Sequence, residues 1–312
     1  MDLAAGMRRR RRITIKKDLL DFYAPQGCAL ILEGGAMRGV FEAGVLDAFL
    51  SKGLHFRHVV GTSVGTMQAM CYLSGQKGRN IRINATYCRD PRYMGIKHLL
   101  KEKNYFNFDF MFGELAHQLD PMDMETYRAA ETELYAVLTD GITGKHRYIS
   151  NKECGEEEFT KAVEASASIP LLSPPVEIDG VPYVDGGLAM PLVPFPYELP
   201  FPAEKPVYIL TRQNSYRKKS MPSVARKIAQ AIWGKKYPMI LESMCTIPER
   251  YNARIEKLLQ LEAEGKIFVF RPEKTVTVKR AETNPAKLRQ LHGEGYRIGM
   301  ARFNELMRWI HA

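Results

Sequence analysis

Ser63 stands in the pentapeptide Gly61-Thr62-Ser63-Val64-Gly65, a Gly-x-Ser-x-Gly pattern in which a serine can act as a nucleophile. Such a serine needs a sharp turn between a strand and a helix, because the turn projects its hydroxyl away from the backbone. The helix that follows offers unpaired N–H groups and a partial positive charge to an oxyanion forming nearby. The chemistry would be acyl transfer through an acyl-serine. A structural turn with no catalytic role is the alternative that the rest of the chain must exclude.

A second candidate is the glycine-rich run Gly34-Gly35-Ala36-Met37-Arg38-Gly39. Glycine-rich loops between a strand and a helix bind anions through backbone N–H groups. A dinucleotide fingerprint would need glycine where Ala36 stands, and a P-loop would need Gly-Lys-Ser/Thr where Gly39 is followed by Val40. Both nucleotide sites are therefore excluded. We expect the N–H groups from Gly34 to Ala36 to hold an oxyanion, and a βα turn without a ligand is the alternative.

Apolar runs predict the elements that position these groups. Short buried strands are expected at 28–32, before the glycine-rich run, and just before Gly61, while apolar helices are expected at 40–50 and 64–73. We also expect a hairpin of strands at 133–139 and 146–149, a helix at 156–166, and strands at 176–178, 181–184 and 207–211. The strand at 181–184 leads into Asp185-Gly186-Gly187. All three motifs thus lie at strand ends, where open α/β sheets place their sites.

The three motifs together resemble those of the patatin-like phospholipase family. Members of that family have a glycine-rich oxyanion loop, a Gly-x-Ser-x-Gly elbow and an Asp-Gly-Gly/Ala motif, in this order along the chain. The stretch from Ala165-Ser166 to Pro170 also looks like the family's segment ahead of its aspartate. The resemblance covers about residues 27–212, and bacterial patatin-like proteins of unassigned substrate look closest. It implies an α/β fold, a three-layer α/β/α sandwich with a mostly parallel central sheet and a helical C-terminal extension.

The resemblance also implies a serine–aspartate dyad without histidine, with Ser63 as nucleophile and Asp185 as base. Burial at the sheet edge would raise the pKa of that aspartate toward neutrality and make it a better proton acceptor. The remaining motif positions would support this geometry, and they are Arg38, Gly39, Gly61, Gly65, Gly186 and Gly187. Ala36 departs from the family's usual glycine, so a positive φ there would be strained. Arg38 stands where the family has Lys or Arg, and it would orient the loop, attract a phosphate or remain solvated.

The histidines fit no catalytic motif. An α/β-hydrolase triad would place its acid and then its histidine after the serine, and His292 is the residue that keeps this minor alternative open. No set of residues has metal-ligand spacing, so catalysis without a metal or cofactor is expected.

Charge and cysteine content suggest where the protein works. The net charge is +10, and Arg8–Arg12 make residues 1–24 a basic tail that is either a solvated arm or an attachment to anionic lipid or nucleic acid. Five scattered cysteines suggest reduced thiols, and the chain has neither an apolar run long enough to span a membrane nor a secretory signal. We expect a cytoplasmic protein, in peripheral contact with the inner membrane surface if the basic arm attaches it there.

We therefore predict a catalytic domain at 25–212 and a mainly helical extension at 213–312 packed on it. The predicted function is hydrolysis of carboxylic esters in lipids, of the phospholipase A or lysophospholipase kind. The aromatic stretch at 105–112 would line an acyl pocket or touch lipid, or else form a core strand or loop. A short-chain esterase or thioesterase and a catalytically silent lipid-binding protein are the alternatives. No module that reads nucleic-acid bases is recognisable, and the oligomeric state is not predicted.

Overall fold

The computed structural model of the protein describes residues 21–312. Most of the predicted basic tail at 1–24, including the arginine run, lies outside the described residues. Within the described part of the chain the strands are β1 Phe22–Tyr23, β2 Cys28–Leu32, β3 Leu54–His55, β4 His58–Thr62, β5 Glu133–Asp140, β6 His146–Ser150, β7 Val176–Ile178, β8 Val181–Asp185, β9 Lys205–Ile209 and β10 Phe268–Phe270.

Eight of these strands form the central sheet. Their order is β10–β9–β2–β4–β5–β8–β7, and β6 also pairs with β5. The strands from β10 to β5 are parallel, whereas β6 and β8 run antiparallel to β5, and β7 runs antiparallel to β8. β1 and β3 pair separately. The prediction of a mostly parallel sheet is confirmed.

Helices connect and cover the strands. In residues 21–312 the α-helices are α1 Val40–Ser51, α2 Val64–Leu73, α3 Arg79–Tyr87, α4 Ile96–Glu102, α5 Phe108–Phe110, α6 Met124–Ala129, α7 Glu156–Ala167, α8 Ser223–Trp233, α9 Pro238–Ala263 and α10 Pro285–Ile310. Short 3₁₀ helices span Ala36–Gly39 and Pro196–Glu198, and a π-helix spans Met111–Leu119.

The residues of β2 alternate between two hydrophobic cores, as a strand's side chains must. Leu30 and Leu32 pack in the core that contains Phe41 of α1. Ala29 and Ile31 pack in a second core, formed with residues of α9 such as Tyr251 and Leu258. The sheet therefore lies between helices on both faces. This is the three-layer α/β/α architecture predicted from the sequence.

The aromatic stretch folds differently from the strand or loop that its alternation suggested. Phe108–Phe110 is helical, and the π-helix follows directly. The side chain of Asn107 accepts a hydrogen bond from the N–H of Phe110 at 3.0 Å, which is a helix N-cap. The cap starts a helix despite the aromatic residues, whose β propensity is only a weak preference.

The C-terminal region joins the same fold. β10 adds a strand to the sheet beside β9, and α10 packs along α1. The two helix backbones touch at glycines, because a Cβ on Gly44 would collide with the carbonyl of His292 and a Cβ on Gly295 with the carbonyl of Phe41. These glycines permit an approach that a larger residue on either helix would prevent.

Candidate active site

The ends of β4 and β8 meet head to head along one edge of β5. Thr62, the last residue of β4, faces Val137, and Asp185, the last residue of β8, faces the next residue, Leu138. Both β5 residues also pair with β6, which occupies the other edge. The register of β5 therefore places Ser63, which follows Thr62, beside Asp185.

Ser63 occupies a sharp turn between β4 and α2, as its motif predicts. Its φ is +57° and its ψ is −131°, a conformation that costs a non-glycine residue about 1–3 kcal/mol. The N–H of Ser63 donates to Oγ of Ser166 at 2.8 Å, and the hydroxyl of Ser166 donates to the carbonyl of Val137 at 2.7 Å. Through these two hydrogen bonds, Ser166 links the Ser63 turn to β5. The only sequence signal for this role of Ser166 was that the stretch around it resembles the segment ahead of the aspartate in patatin-like phospholipases.

The glycines of this motif permit close packing. A Cβ on Gly61 would collide with the backbone of Thr66, in the first turn of α2. A Cβ on Gly65 would lie 3.0 Å from the carbonyl oxygen of Leu32, at the end of β2. Helix α2 can therefore begin directly against the ends of the two strands.

Asp185 is held in place from several directions. The hydroxyl of Ser63 lies close enough to the carboxylate to lower its pKa, and the N–H of Gly187 donates to Oδ1 at 2.8 Å. A Cβ on Gly186 would collide with the carbonyl of Val137, so only glycine lets the chain turn here. The Ser63 hydroxyl and the Asp185 carboxylate are therefore in direct contact.

Burial raises the pKa of Asp185 above its ordinary value of 3.8, because the carboxylate is removed from water. The hydrogen bonds from Ser63 and Gly187 oppose this effect, and the positive charges of Arg280 and Lys218 oppose it further. A carboxylate with a raised pKa is a stronger base than an exposed aspartate.

The glycine-rich loop lies directly on the Ser63 turn. Gly34, Gly35 and Ala36 all have positive φ, at 76°, 126° and 53°. A Cβ on Gly34 would collide with the carbonyl of Thr62, so this position requires glycine for both conformation and space. Ala36 adopts the strained conformation that its departure from the family pattern implied.

One of the three expected oxyanion donors is engaged elsewhere. The N–H of Gly34 donates to Oε1 of Glu42 at 2.8 Å, so it does not point at an oxyanion beside Ser63. The N–H groups of Gly35 and Ala36 have no hydrogen-bond partner within residues 21–312. Of the three expected donors, the amides of Gly35 and Ala36 therefore remain candidates, and that of Gly34 does not.

Glu42 lies on α1 beneath the loop, and its carboxyl side chain is completely buried. Burial raises its pKa well above the ordinary value of 4.5, and the hydrogen bond from Gly34 opposes this only in part. Its second oxygen, Oε2, has no partner in the described chain. The sequence analysis did not predict Glu42 as a site residue, although an acidic residue in the apolar run at 40–50 is a signal that could have marked it.

The free energy of unfolding should depend on pH through Glu42. Its folded-state pKa is raised, so the folded state binds the proton more tightly, and stability is lost as pH rises from about 4.5 toward that pKa. The loss is up to about 1.4 kcal/mol per pH unit. We expect Glu42→Gln to remove this slope in urea unfolding between pH 5 and 8. Glu42→Ala, which lacks the acceptor for Gly34, should cost about 1–3 kcal/mol at every pH. Parallel pH profiles for wild type and Glu42→Gln would contradict the prediction.

Arg38 and Gly39 complete the loop. Arg38 is 7% exposed, and its Nε has no hydrogen-bond partner in the described chain. Its guanidinium lies close to Gly35, where a Cβ would come within 3.1 Å of Nη2. A Cβ on Gly39 would approach Val64 of α2 to 2.6 Å. Arg38 is therefore not solvated, and among the described residues it has no carboxylate partner.

Ser63 and Asp185 open into a cavity of about 640 Å³. One side of this cavity is apolar and includes Ile169, Leu171, Leu188, Leu192, Met244 and Ile247. A second cavity of about 40 Å³ borders Ser63 and Ala36 and is lined in part by Phe106 and Phe108. The aromatic stretch thus reaches the site but leaves little free space there.

No histidine among the described residues lines the large cavity. His292, the candidate for an α/β-hydrolase triad, lies on α10 with its Nε2 2.8 Å from Oδ2 of Asp47 on α1. The triad alternative is therefore wrong for His292. Across residues 21–312, no three His, Cys, Asp or Glu side chains are grouped to hold a metal ion. The same region contains no helix with the length and apolarity needed to cross a membrane.

Comparisons with known proteins add a family assignment. A family model described as Patatin-like phospholipase matches residues 30–196, and one described as Domain of unknown function (DUF6363) matches residues 237–311. The uncharacterized protein YjjU of Escherichia coli (strain K12) is 24% identical over 173 residues, which are 54% of this chain and 47% of that protein. The match therefore spans about half of that relative. VipD from Legionella pneumophila aligns with 92% of this chain and 67% of its own, at 13% identity and a TM-score of 0.42.

Proposed function

Because the chain belongs to the patatin-like phospholipase family, whose model spans more than half of it, we propose that it hydrolyses carboxylic esters of lipids through Ser63 and Asp185. The observation that supports this most directly is the head-to-head meeting of β4 and β8 on β5. It brings the serine hydroxyl next to a buried carboxylate, and both line the same cavity.

In the proposed reaction, Oγ of Ser63 attacks the ester carbonyl while its proton passes to Asp185. The tetrahedral intermediate collapses, the carbon–oxygen bond to the alcohol breaks, and the alcohol leaves with the proton from Asp185. A water molecule then attacks the acyl-serine and gives a proton to Asp185, and collapse returns Ser63 and releases the fatty acid. The two half-reactions regenerate both side chains.

The N–H groups of Gly35 and Ala36 are the proposed donors to the oxyanion. They have no other partner within the described residues, and each adopts a positive φ. Donors fixed in advance where charge develops stabilise a transition state without reorganisation. The contact between Glu42 and Gly34 would keep this loop in its strained shape.

The apolar side of the cavity supports a substrate with a long acyl chain. It lies beside Ser63 and includes Leu188, Leu192 and Met244. Each methylene of a chain buried there contributes about 0.8 kcal/mol, or about fourfold in kcat/KM. A soluble short-chain esterase would not benefit from this surface.

Chain-length preference tests the substrate class. We expect kcat/KM on p-nitrophenyl esters to rise by about fourfold per methylene from butyrate until the apolar wall is filled. The measurement is release of p-nitrophenol below the micellar concentration of each ester. A maximum at butyrate would favour the soluble esterase or thioesterase instead.

A catalytically silent lipid-binding protein is the alternative from another class. The direct contact of Ser63 with Asp185 argues against it, since a binding protein does not need this pair. A fluorophosphonate probe separates the two, because it labels only a serine that is activated as a nucleophile. Absence of label in a folded protein would favour the silent binder.

We further propose that α8 contacts an anionic membrane. Its residues Val224, Ile228 and Ile232 follow one helical stripe and are 67%, 49% and 56% exposed. Lys227 lies on α8 three residues after Val224, and Arg226, Lys235 and Lys236 lie in or just after the same helix. On the buried face of α8, Ala229 and Trp233 pack in a cluster with Leu188 and Met244 of the cavity wall. An exposed apolar stripe beside positive charge is typical of helices that lie in a membrane interface.

Vesicle sedimentation tests this surface. We expect the triple change Val224→Ser, Ile228→Ser and Ile232→Ser to weaken binding to phosphatidylglycerol vesicles by at least about 100-fold, from lost apolar burial. Binding of the wild-type protein should also fall with added salt. Tyr197→Ser removes a side chain outside α8 that is 71% exposed, and it serves as the control. Equal binding by the triple variant and the control would contradict the prediction.

The proposed location is the cytoplasmic face of a membrane. The five cysteines are free, which suits a reducing compartment.

A further inference from the structure

Part of the lining of the large cavity is basic, and we call this part the basic wall. Five cationic side chains line the cavity, and they are Arg38, Arg212, Lys218, Lys279 and Arg280. Two carboxylates line it as well, Glu33 and Asp185. Both have hydrogen-bond donors of their own, from Thr211 to Glu33 and from Gly187 to Asp185. The basic wall therefore has an excess of positive charge beside Ser63.

These cations lack the carboxylate partners that most of the other arginines in residues 21–312 have. Ion pairs with carboxylates are formed by Arg57, Arg79, Arg82, Arg92, Arg128, Arg217, Arg254, Arg271, Arg297 and Arg302. Within residues 21–312, none of the five cations of the basic wall lies in such a pair. The clearest case is Arg38, which is buried and whose Nε has no partner in that part of the chain. A buried charge without a partner is costly unless a ligand supplies one.

Burial and mutual repulsion lower the pKa of two of these cations. Burial and, to a smaller extent, the charge of Arg280 lower the pKa of Lys218 to about 8. Burial also lowers the pKa of Arg38 to about 10, with Arg212 and Arg280 contributing. A bound anion would relieve both effects.

Two of the cations pack on aromatic rings that also line the cavity. The guanidinium of Arg212 lies over the ring of Tyr216 at 4.4 Å, and Nζ of Lys218 lies over the ring of Tyr251 at 4.3 Å. The carbonyl of Arg280 accepts the N–H of Met37 at 3.2 Å, which fixes this segment across the glycine-rich loop. The basic wall is therefore built next to the proposed oxyanion donors.

We propose that the basic wall is a binding subsite for a phosphate monoester group carried by the substrate close to its scissile ester. This rests on the proposed ester hydrolysis. Five cations and two carboxylates leave an excess of three positive charges, which suits a dianion better than the single charge of a phosphodiester. All of the cations except Arg38 lie outside residues 30–196, so this chain builds the subsite mainly from its C-terminal half.

Calorimetry with three ligands tests the subsite. The full chain with Ser63→Ala, which cannot turn over, is titrated with inorganic phosphate, hexanoyl-glycerol-3-phosphate and hexanoylglycerol. We expect the phosphate ester to bind at least about tenfold more tightly than hexanoylglycerol, since one charge-assisted contact corresponds to about tenfold. Tighter binding of the ester than of inorganic phosphate assigns the site to a substrate headgroup. Equal binding of these two would overturn that assignment and indicate a site for free phosphate.

Charge-removing variants give the matched comparison. In the Ser63→Ala background, Arg280→Gln and Lys218→Gln should each weaken binding of the phosphate ester by about tenfold. Arg217→Gln removes a neighbouring cation that pairs with Glu256 outside the cavity, and it should leave binding unchanged. Retained affinity in the Arg280→Gln/Lys218→Gln double variant would overturn the proposal.

The pH dependence supplies a second readout. Arg280, Glu33, Asp185 and Arg38 are the charged groups that act on Lys218, and burial places its pKa at about 8. A phosphate monoester is already dianionic above about pH 7, so its charge stays constant there. Binding should therefore weaken between about pH 7 and 9 as Lys218 loses its proton, and Lys218→Arg should remove that slope. A slope unchanged in Lys218→Arg would contradict the assignment of Lys218.

Hydrolysis assays and binding measurements together distinguish failure of the proposed subsite from failure of the proposed ester hydrolysis. Hydrolysis of both hexanoyl esters by the wild-type chain with no preference for the phosphate would overturn the subsite and leave the hydrolase standing. Tight binding of the phosphate ester without hydrolysis of any ester would support the subsite and overturn the hydrolase.

Discussion

Ser63→Ala is expected to lower kcat/KM for p-nitrophenyl ester hydrolysis by at least about 10⁴-fold. The change removes the oxygen that forms the acyl intermediate and leaves the turn otherwise intact, because the N–H of residue 63 still donates to Ser166. Asp185→Asn should cost about 10³-fold or more, since its side-chain oxygen can still accept from Gly187 but the amide cannot take the serine proton.

The two substitutions act on one proton transfer, so their effects should not add. The double variant is expected to be no slower than Ser63→Ala alone. Ser168→Ala is the control, because Ser168 is a buried serine whose hydroxyl donates to the carbonyl of Glu164 and not to the pair. In the wild-type chain kcat/KM should rise with pH as Asp185 is deprotonated, at a pH above 3.8 because burial raises its pKa. Turnover by Ser63→Ala within about tenfold of wild type would exclude the mechanism.

Gly295→Ala should destabilise the protein by about 3 kcal/mol, although alanine is the better helix former. The added methyl would strike the carbonyl of Phe41 on α1, and the two helices would have to separate. Gly293→Ala on the same helix is the matched control. That position has nothing within 4 Å of where its Cβ would lie, so alanine should stabilise by about 0.5–1 kcal/mol.

Urea unfolding of both variants, followed by circular dichroism, measures the two changes with opposite expected signs. A single transition shifted to lower urea for Gly295→Ala would support cooperative folding of the 213–312 region with the sheet. Stabilisation by both alanines would show that α10 does not need its close approach to α1.

Much of the sheet could be predicted because its strands are short apolar runs bounded by glycine or charge. Cys28–Leu32 and the run before Gly61 are apolar on both faces, which is the pattern of a buried parallel sheet. The positions of the three motifs followed from those strands, since each motif lies at the end of one. The catalytic roles of Ser63 and Asp185 stay predictions, supported by their contact.

Other features depend on contacts between distant parts of the chain. The engagement of Gly34 by Glu42 could not be predicted, because amide direction depends on how α1 docks under the loop. The helix at Phe108–Phe110 depends on the cap from Asn107, which competes with the alternating aromatic pattern. Arg212 and Arg280 lie in segments without periodicity, so their meeting near Ser63 became visible only in the fold.

The way β4 and β8 meet on β5 also bears on when activity can begin during synthesis. Ser63 emerges from the ribosome long before Asp185, and Arg280 emerges later still. A chain interrupted anywhere before β8 has a serine without its base, and one interrupted before residue 280 lacks part of the basic wall. Under the proposed mechanism, a chain still on the ribosome would therefore stay inactive until β8 is made, and products truncated before β8 would not hydrolyse lipids.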